Sequence, residues 1–152
     1  MYNHAPKDYK CPLCKIASGK NTDKTNQNDV VYRDENLTAF IAGKWWVNNS
    51  GHIIIIPNDH YENLYDIPDY ILGEIYSFVK KIAIILKKAY KCDGTSTRQH
   101  NELAGNQDVW HFHVHVLPRY EGDRLYELHE KTHWTTPGER LPYINKIKKH
   151  LK

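Results

Sequence analysis

Gln107-Asp-Val109-Trp-His111-Phe-His113-Val-His115-Val-Leu117-Pro-Arg119 carries three histidines at alternate positions. In a β-strand, successive side chains point to opposite faces. One face of this segment therefore carries Val109, His111, His113, His115 and Leu117, and the other carries Trp110, Phe112, Val114 and Val116. The second set is wholly apolar, so it needs a covering layer. The first aligns three imidazoles about 6.5–7 Å apart on one surface. The pattern predicts a strand from Val109 to Leu117, closed by Pro118, because proline cannot donate to a ladder.

Ten histidines are present, so some clustering is expected by chance. Three on alternate positions, opposed to four apolar partners, is a specific arrangement. Two chemistries fit it. A His-x-His pair on a strand can turn two ring nitrogens toward one zinc ion. Alternatively, a neutral imidazole, with an unperturbed pKa of about 6.5, can attack phosphorus near neutral pH. The attack needs a neighbour that fixes the tautomer and leaves one ring nitrogen with a free lone pair.

Working outward, Gly94 to Asp108 contains a possible strand, Thr95 to Asn101, and a loop around Ala104 and Gly105. Before it, Ile71, Ile75, Phe78, Val79, Ile82, Leu86 and Ala89 recur at helical spacing. They predict a long amphipathic helix, opened by Pro68 and stopped at Gly94. Upstream, His52 to Ile56 is a β-branched run ended by Pro57, and reads as a buried strand. Val30 to Arg33 and Leu37 to Ile41 read as two strands joined at Asp34-Glu-Asn36. Ser18 to Asp29 is polar and reads as a loop. Toward the C-terminus, Leu141, Ile144, Ile147 and Leu151 predict a short amphipathic helix, and the segment around Trp134, Pro137 and Gly138 reads as irregular. The fold class is α+β, with a mainly antiparallel sheet.

The chain has 152 residues, 40% of them hydrophobic, and reads as one domain, 1–152, with a sizeable core. The net charge of +3 is mild and spread out. Nucleic-acid binding normally needs a stronger local basic footprint. No apolar run is long enough for a membrane span, and no leader segment is evident, so a soluble cytoplasmic protein is expected. Three cysteines do not make a disulfide framework. Cys92 reads as a packing residue. Cys11 and Cys14 form a Cys-x-x-Cys pair, a metal or redox candidate, although the strand-before, helix-after setting of thioredoxin-like redox pairs is not evident.

The histidine strand resembles the signature of the histidine-triad family, including a Gln four residues before the first His. Gly51-His52-Ile-Ile-Ile-Ile-Pro57-Asn-Asp-His60 is similar to that family's Gly-His-x-apolar-apolar-apolar-Pro-x-x-His strand. Cys11-Pro-Leu-Cys14 is similar to the opening of many bacterial members. The matches are in family order and cover roughly residues 9–123; residues 124–152 lie outside them. The resemblance implies a five-stranded antiparallel sheet with one long helix and a C-terminal helix, usually paired as a homodimer whose sheets join. It implies hydrolysis or nucleotidyl transfer on a nucleotide-like substrate through a covalent nucleotidyl-histidine. By residue-wise match, His113 is the nucleophile and His115 contacts the phosphate. His52 sits beside the nucleophile, and Gln107 and Asn101 supply polar contacts to the substrate. It further implies a structural zinc (Zn2+) held by Cys11, Cys14, His60 and His111. Two thiolates and two imidazoles suit a closed tetrahedral site.

Three positions depart from the family pattern, one of them Asn106, which replaces the usual Gly before the Gln. Ala42 stands where many members carry a ribose-binding Asp, and Asp108 where Ser or Thr usually donates to phosphate. A carboxylate there repels phosphate unless it is protonated or turned to another partner. It can instead serve a protonated leaving group or a neighbouring histidine. Trp45 and Trp46 read as packing or dimer residues, with base stacking as the alternative. The leading expectation is a histidine-triad hydrolase or transferase. Two alternatives stay open: a zinc hydrolase using the three histidines as catalytic ligands, and a nucleotide-binding sensor with little turnover.

Overall fold

The computed structural model describes residues 2–151. Its main sheet has five strands in the order β1-β2-β4-β6-β5, with every neighbouring pair antiparallel. The strands are β1 (Val30–Arg33), β2 (Leu37–Ile41), β4 (Ile53–Pro57), β5 (Gly94–Gln99) and β6 (Val114–Arg119). A second, two-stranded sheet pairs β3 (Lys44–Trp46) with β7 (Thr132–Trp134). The helices are α1 (Pro12–Ala17), α2 (Asp69–Tyr90) and α3 (Pro137–Leu151). Among the described residues, no helix is long and apolar enough to cross a membrane.

The two faces of the main sheet differ. Ala39, Ile41, Ile53, Ile55, Phe112, Val114 and Val116 join Ile71, Ile75, Phe78, Val79, Ile82 and Leu86 of α2 in one core. Thus α2 covers the apolar face of the histidine segment, as the alternation predicts, and Cys92 is buried in the same core. On the other face, Phe40 and Ile56 pack with Cys11, Leu13 and Ile16 around α1. The β1–β2 turn forms where Asp34 accepts the backbone N–H groups of Asn36 and Leu37 at 2.9 and 2.8 Å, a local bond that competes well with extended pairing.

Pro68 is the N-cap of α2, not its first residue, and Lys91, in the left-handed region at φ 58°, ends the helix before Gly94 opens β5. The histidine strand is shorter at its start than the alternation suggests. Residues 109–113 are bent: the His111 N–H donates to the Val109 carbonyl at 2.8 Å and that of Phe112 to the Tyr61 carbonyl at 2.6 Å. Trp110 therefore leaves the core face and packs against His4. At the other end, Pro118 does not stop the ladder, because it pairs opposite Thr95 and Arg119 opposite Gly94.

The C-terminal segment is not irregular. β7 and α3 bring it back over the sheet, and α3 packs on α2 and β1. Leu141 is 52% exposed and does not belong to the buried stripe. Arg140 takes that side of the helix, 2% exposed, with a two-bond ion pair to Asp29 at 2.8 and 2.9 Å.

Candidate functional site

His113 lies at the buried end of a cleft of about 660 Å3, 5% exposed. Its Nδ1 is 2.8 Å from the carbonyl oxygen of its neighbour His111. A carbonyl only accepts, so Nδ1 carries the proton and Nε2 keeps a free lone pair. Burial lowers the pKa of this ring, while the His111 carbonyl and the Asp108 charge pull the other way. The ring is thus neutral near pH 7, with one nitrogen ready to attack. The bend that shortens the strand supplies the geometry: it aims the His111 carbonyl at the next histidine.

Asp108 reaches the same nitrogen from the cleft mouth, its Oδ1 3.8 Å from His113 Nε2, with a mostly exposed side chain. On the inner side, His115 and His113 have ring centroids 5.1 Å apart, and His52 lies 5.2 Å from His115. His52 precedes β4 after a turn at Gly51, where φ is 80° and a Cβ would clash with the Tyr143 ring and Tyr90 Oη. Burial pushes the His52 pKa down to about 3, helped by the Arg98 charge. Burial also drives His115 well below the usual range, with His113, His52, His100 and Arg98 adding to it. The Nδ1 atoms of His52 and His115 are buried without a hydrogen-bond partner among the described residues.

Cys11, Cys14, His60 and His111 form a second group, with donor atoms all within 4.8 Å of one another. His111 Nδ1 is 3.4 Å from both sulfurs, and His60 Nδ1 is 3.2 Å from Cys14 Sγ. A tetrahedral zinc with bonds of about 2.3 Å to sulfur and about 2.0–2.1 Å to nitrogen has S···N edges of about 3.5 Å. The donor set therefore fits that ion. His111 Nε2 lies 3.1 Å from the Pro57 carbonyl, which fixes the ring with Nδ1 free to ligate, the usual supporting contact of a metal-bound histidine. Without a cation, burial and the adjacent Cys11 push the Cys14 thiol up to about 12. A bound divalent ion would reverse that preference.

The structure separates the three histidines of the run. His111 faces the cysteines, while His113 and His115 face the cleft. Gln107 and Asn101 are not among the cleft-lining residues. The Gln107 amide donates to the Glu62 carbonyl and accepts the Glu102 N–H. Asn101 accepts the Leu64 N–H and bonds to Gln99. Both amides brace the loop that precedes His111. Ala42 lines the cleft, and its carbonyl accepts the indole N–H of the buried Trp45.

Sequence reasoning missed part of the lining. His100 and Arg98 come from β5 and the residue after it, and His129, Glu130, Thr132 and Trp134 come from the C-terminal return. Trp46 sits between the two groups, 5.0 Å from His52 and 6.0 Å from His115, with its indole N–H on the His129 carbonyl at 2.8 Å. The signal for Arg98 is the β5–β6 register, which sets it opposite His115; one sequence does not reveal a register.

Residues 23–122 match the HIT domain. The chain is 38% identical over 115 residues to an uncharacterised HIT-like protein of Methanocaldococcus jannaschii, spanning 74% of this chain and 81% of that one. It is 34% identical over 116 residues to the adenylylsulfatase HINT3 of Arabidopsis thaliana, spanning 76% of this chain and 55% of that protein. Among solved structures, a HIT-like protein of Bartonella henselae, described as involved in cell-cycle regulation, superposes with a TM-score of 0.78 at 27% identity. That match covers 97% of this chain and 99% of that one.

Proposed function

Since the chain belongs to the histidine-triad (HIT) family, we propose that it is a nucleotide hydrolase or nucleotidyl transferase with His113 as its covalent nucleophile. The observation that carries this reading is the tautomer of His113, with Nδ1–H on the His111 carbonyl and Nε2 free. Nε2 attacks the α-phosphorus of a nucleotide conjugate, and the leaving group departs with its electron pair, an amine taking up a proton from solvent as it leaves. Water then attacks the same phosphorus, its proton passes to solvent and the phosphorus–nitrogen pair returns to Nε2, releasing a nucleoside monophosphate. Splitting one displacement in two needs a nucleophile that is also a fair leaving group, and imidazole is both. His115 and His52 offer their unpartnered nitrogens to the phosphate oxygens. Asn101 and Gln107 act on the substrate through the loop they brace. Asp108, at the mouth, disfavours an extra negative charge on its own side of the phosphorus.

Cys11, Cys14, His60 and His111 hold the structural zinc of this reading. The ion would neutralise the two thiolates and clamp the segment around α1 to the histidine run. The rival reading, a catalytic metal on all three histidines, needs His113 and His115 in the donor group, and among the described residues that group stops at His111. A relative named adenylylsulfatase is consistent with chemistry at a nucleotide phosphorus. A homodimer whose sheets join would pair through an edge strand, β1 or β5; sedimentation should give twice the chain mass.

The test is incubation with adenosine 5′-phosphoramidate, following AMP release and a protein-bound adenylyl group. Wild type should show both. His113→Ala should lose both, a drop of at least about a thousandfold in rate (about 4 kcal/mol), and retain about one zinc per chain by elemental analysis. Loss of the metal with His113→Ala would favour the catalytic-zinc alternative. Nucleotide binding without turnover in wild type would favour a sensor.

A further inference from the structure

The sheet register places four side chains in one row across the cleft. Phe40 of β2 stands opposite Ile54 of β4, Ile54 opposite His115 of β6, and His115 opposite Arg98 of β5. All four line the cleft. At about 4.8 Å per strand, the row is about 14 Å long. It runs from an apolar end, extended by Leu13 and Ile16, through an imidazole to a guanidinium.

Arg98 stands apart from the other arginines. Arg119, Arg124 and Arg140 each hold a carboxylate, and Arg33 bonds to the Ile16 carbonyl and the Gln27 amide. Arg98 forms no ion pair among the described residues, and its Nη1 is buried without a hydrogen-bond partner. The guanidinium carbon lies 5.3 Å over the Trp46 ring. Trp46 is itself tied to the C-terminal return through the His129 carbonyl. This stack holds the planar fork in place beside two further unpartnered atoms, Nδ1 of His52 and of His115. Leaving a charged group half-buried without a counter-charge is costly, and a bound anion removes the cost.

We propose that Arg98 forms an anion subsite for the leaving group, so that the site selects nucleotide conjugates whose leaving group is an oxyanion of the phosphate or sulfate class. The proposal rests on His113 as nucleophile. The apolar end of the row takes the nucleoside side of the substrate, and the leaving group lies toward Arg98. His113 Nε2 forms the bond to the α-phosphorus, and the bond from phosphorus to the bridging oxygen breaks. Its electron pair leaves on that oxygen. A guanidinium fork binds such oxyanions through two charge-assisted hydrogen bonds, and it binds more strongly as charge accumulates on the departing oxygen. In the second step water forms the new phosphorus–oxygen bond, the phosphorus–Nε2 bond breaks, and the water's proton passes to solvent.

Three substrates test this: adenosine 5′-phosphosulfate, ADP and adenosine 5′-phosphoramidate. Their leaving groups are sulfate, phosphate and an uncharged amine. Arg98→Met should lower kcat/KM for the phosphosulfate or ADP at least 30-fold more than for the phosphoramidate, and Arg98→Lys should recover part of the difference. Whichever of the phosphosulfate and ADP loses more identifies the oxyanion. A second arm measures equilibrium binding in a His113→Ala background. There Arg98→Met should weaken phosphosulfate or ADP binding at least tenfold more than phosphoramidate binding. Equal losses on all three substrates, as a merely structural role would give, overturn the subsite; so does no change. If wild type forms no adduct, the nucleophile reading fails, and the binding arm still decides the subsite.

Discussion

The chemistry of this chain turns on which way single nitrogens point. His111 uses Nδ1 toward the cysteines and Nε2 toward the Pro57 carbonyl, while its own carbonyl sets the tautomer of His113. The donor group and the proposed nucleophile, His113, are therefore coupled through one residue. Burial keeps His52, His113 and His115 below the usual histidine range, which gives a pH prediction. The charged forms are disfavoured in the folded state, so the unfolded chain binds more protons below about pH 6.5. Stability should be full above pH 6.5 and fall with acidification through the window down to about pH 3 set by His52. The kcat/KM profile for the phosphoramidate should be flat at neutral pH, with its acid limb below 6.5. A limb centred above pH 7 would contradict a neutral, buried nucleophile. At this scale the sequence was informative about residue types: the Cys pair, His60 and His111 are brought together as the motifs imply. It was silent on Arg98 and His100, because their relevance depends on strand register.

At the scale of elements, the β-branched and alternating runs placed β1, β2 and β4 nearly to the residue, and the helical stripe placed α2. The start of β6 is not legible in the sequence, because alternation continues through a bend that Tyr61 and Val109 hold with backbone bonds. The C-terminal return was illegible for a different reason. Its key contact, Arg140 to Asp29, spans 111 residues and uses charged side chains that normally stay at the surface. Removing one partner of such a pair leaves a buried charge, so Arg140→Ala should destabilise by about 3–5 kcal/mol, measured by denaturant unfolding. A loss under about 1 kcal/mol would mean that α3 is held by apolar packing alone. Gly51→Ala combines a positive φ with a clash against Tyr143 and Tyr90. It should cost about 2–4 kcal/mol, seen as a fall in Tm of about 5–15 °C, and displace His52.

At the scale of the molecule, two ends of the chain close on one sheet. The N-terminal α1 carries the cysteines to the histidine run, and the β7–α3 return places His129 and Trp134 at the cleft. Cys14→Ser should therefore abolish zinc retention and lower both Tm and kcat, while a chelator applied to wild type reproduces the same losses. Unchanged activity in a protein shown to be metal-free would separate the donor group from catalysis. Rapid quenching of wild type with adenosine 5′-phosphoramidate, followed by peptide mapping of the attached nucleotidyl group, identifies the nucleophile directly. An adenylyl group on the imidazole of His113, formed and discharged as fast as AMP appears, is the predicted result. AMP release with no adduct on His113, or with the group on another residue, would contradict it.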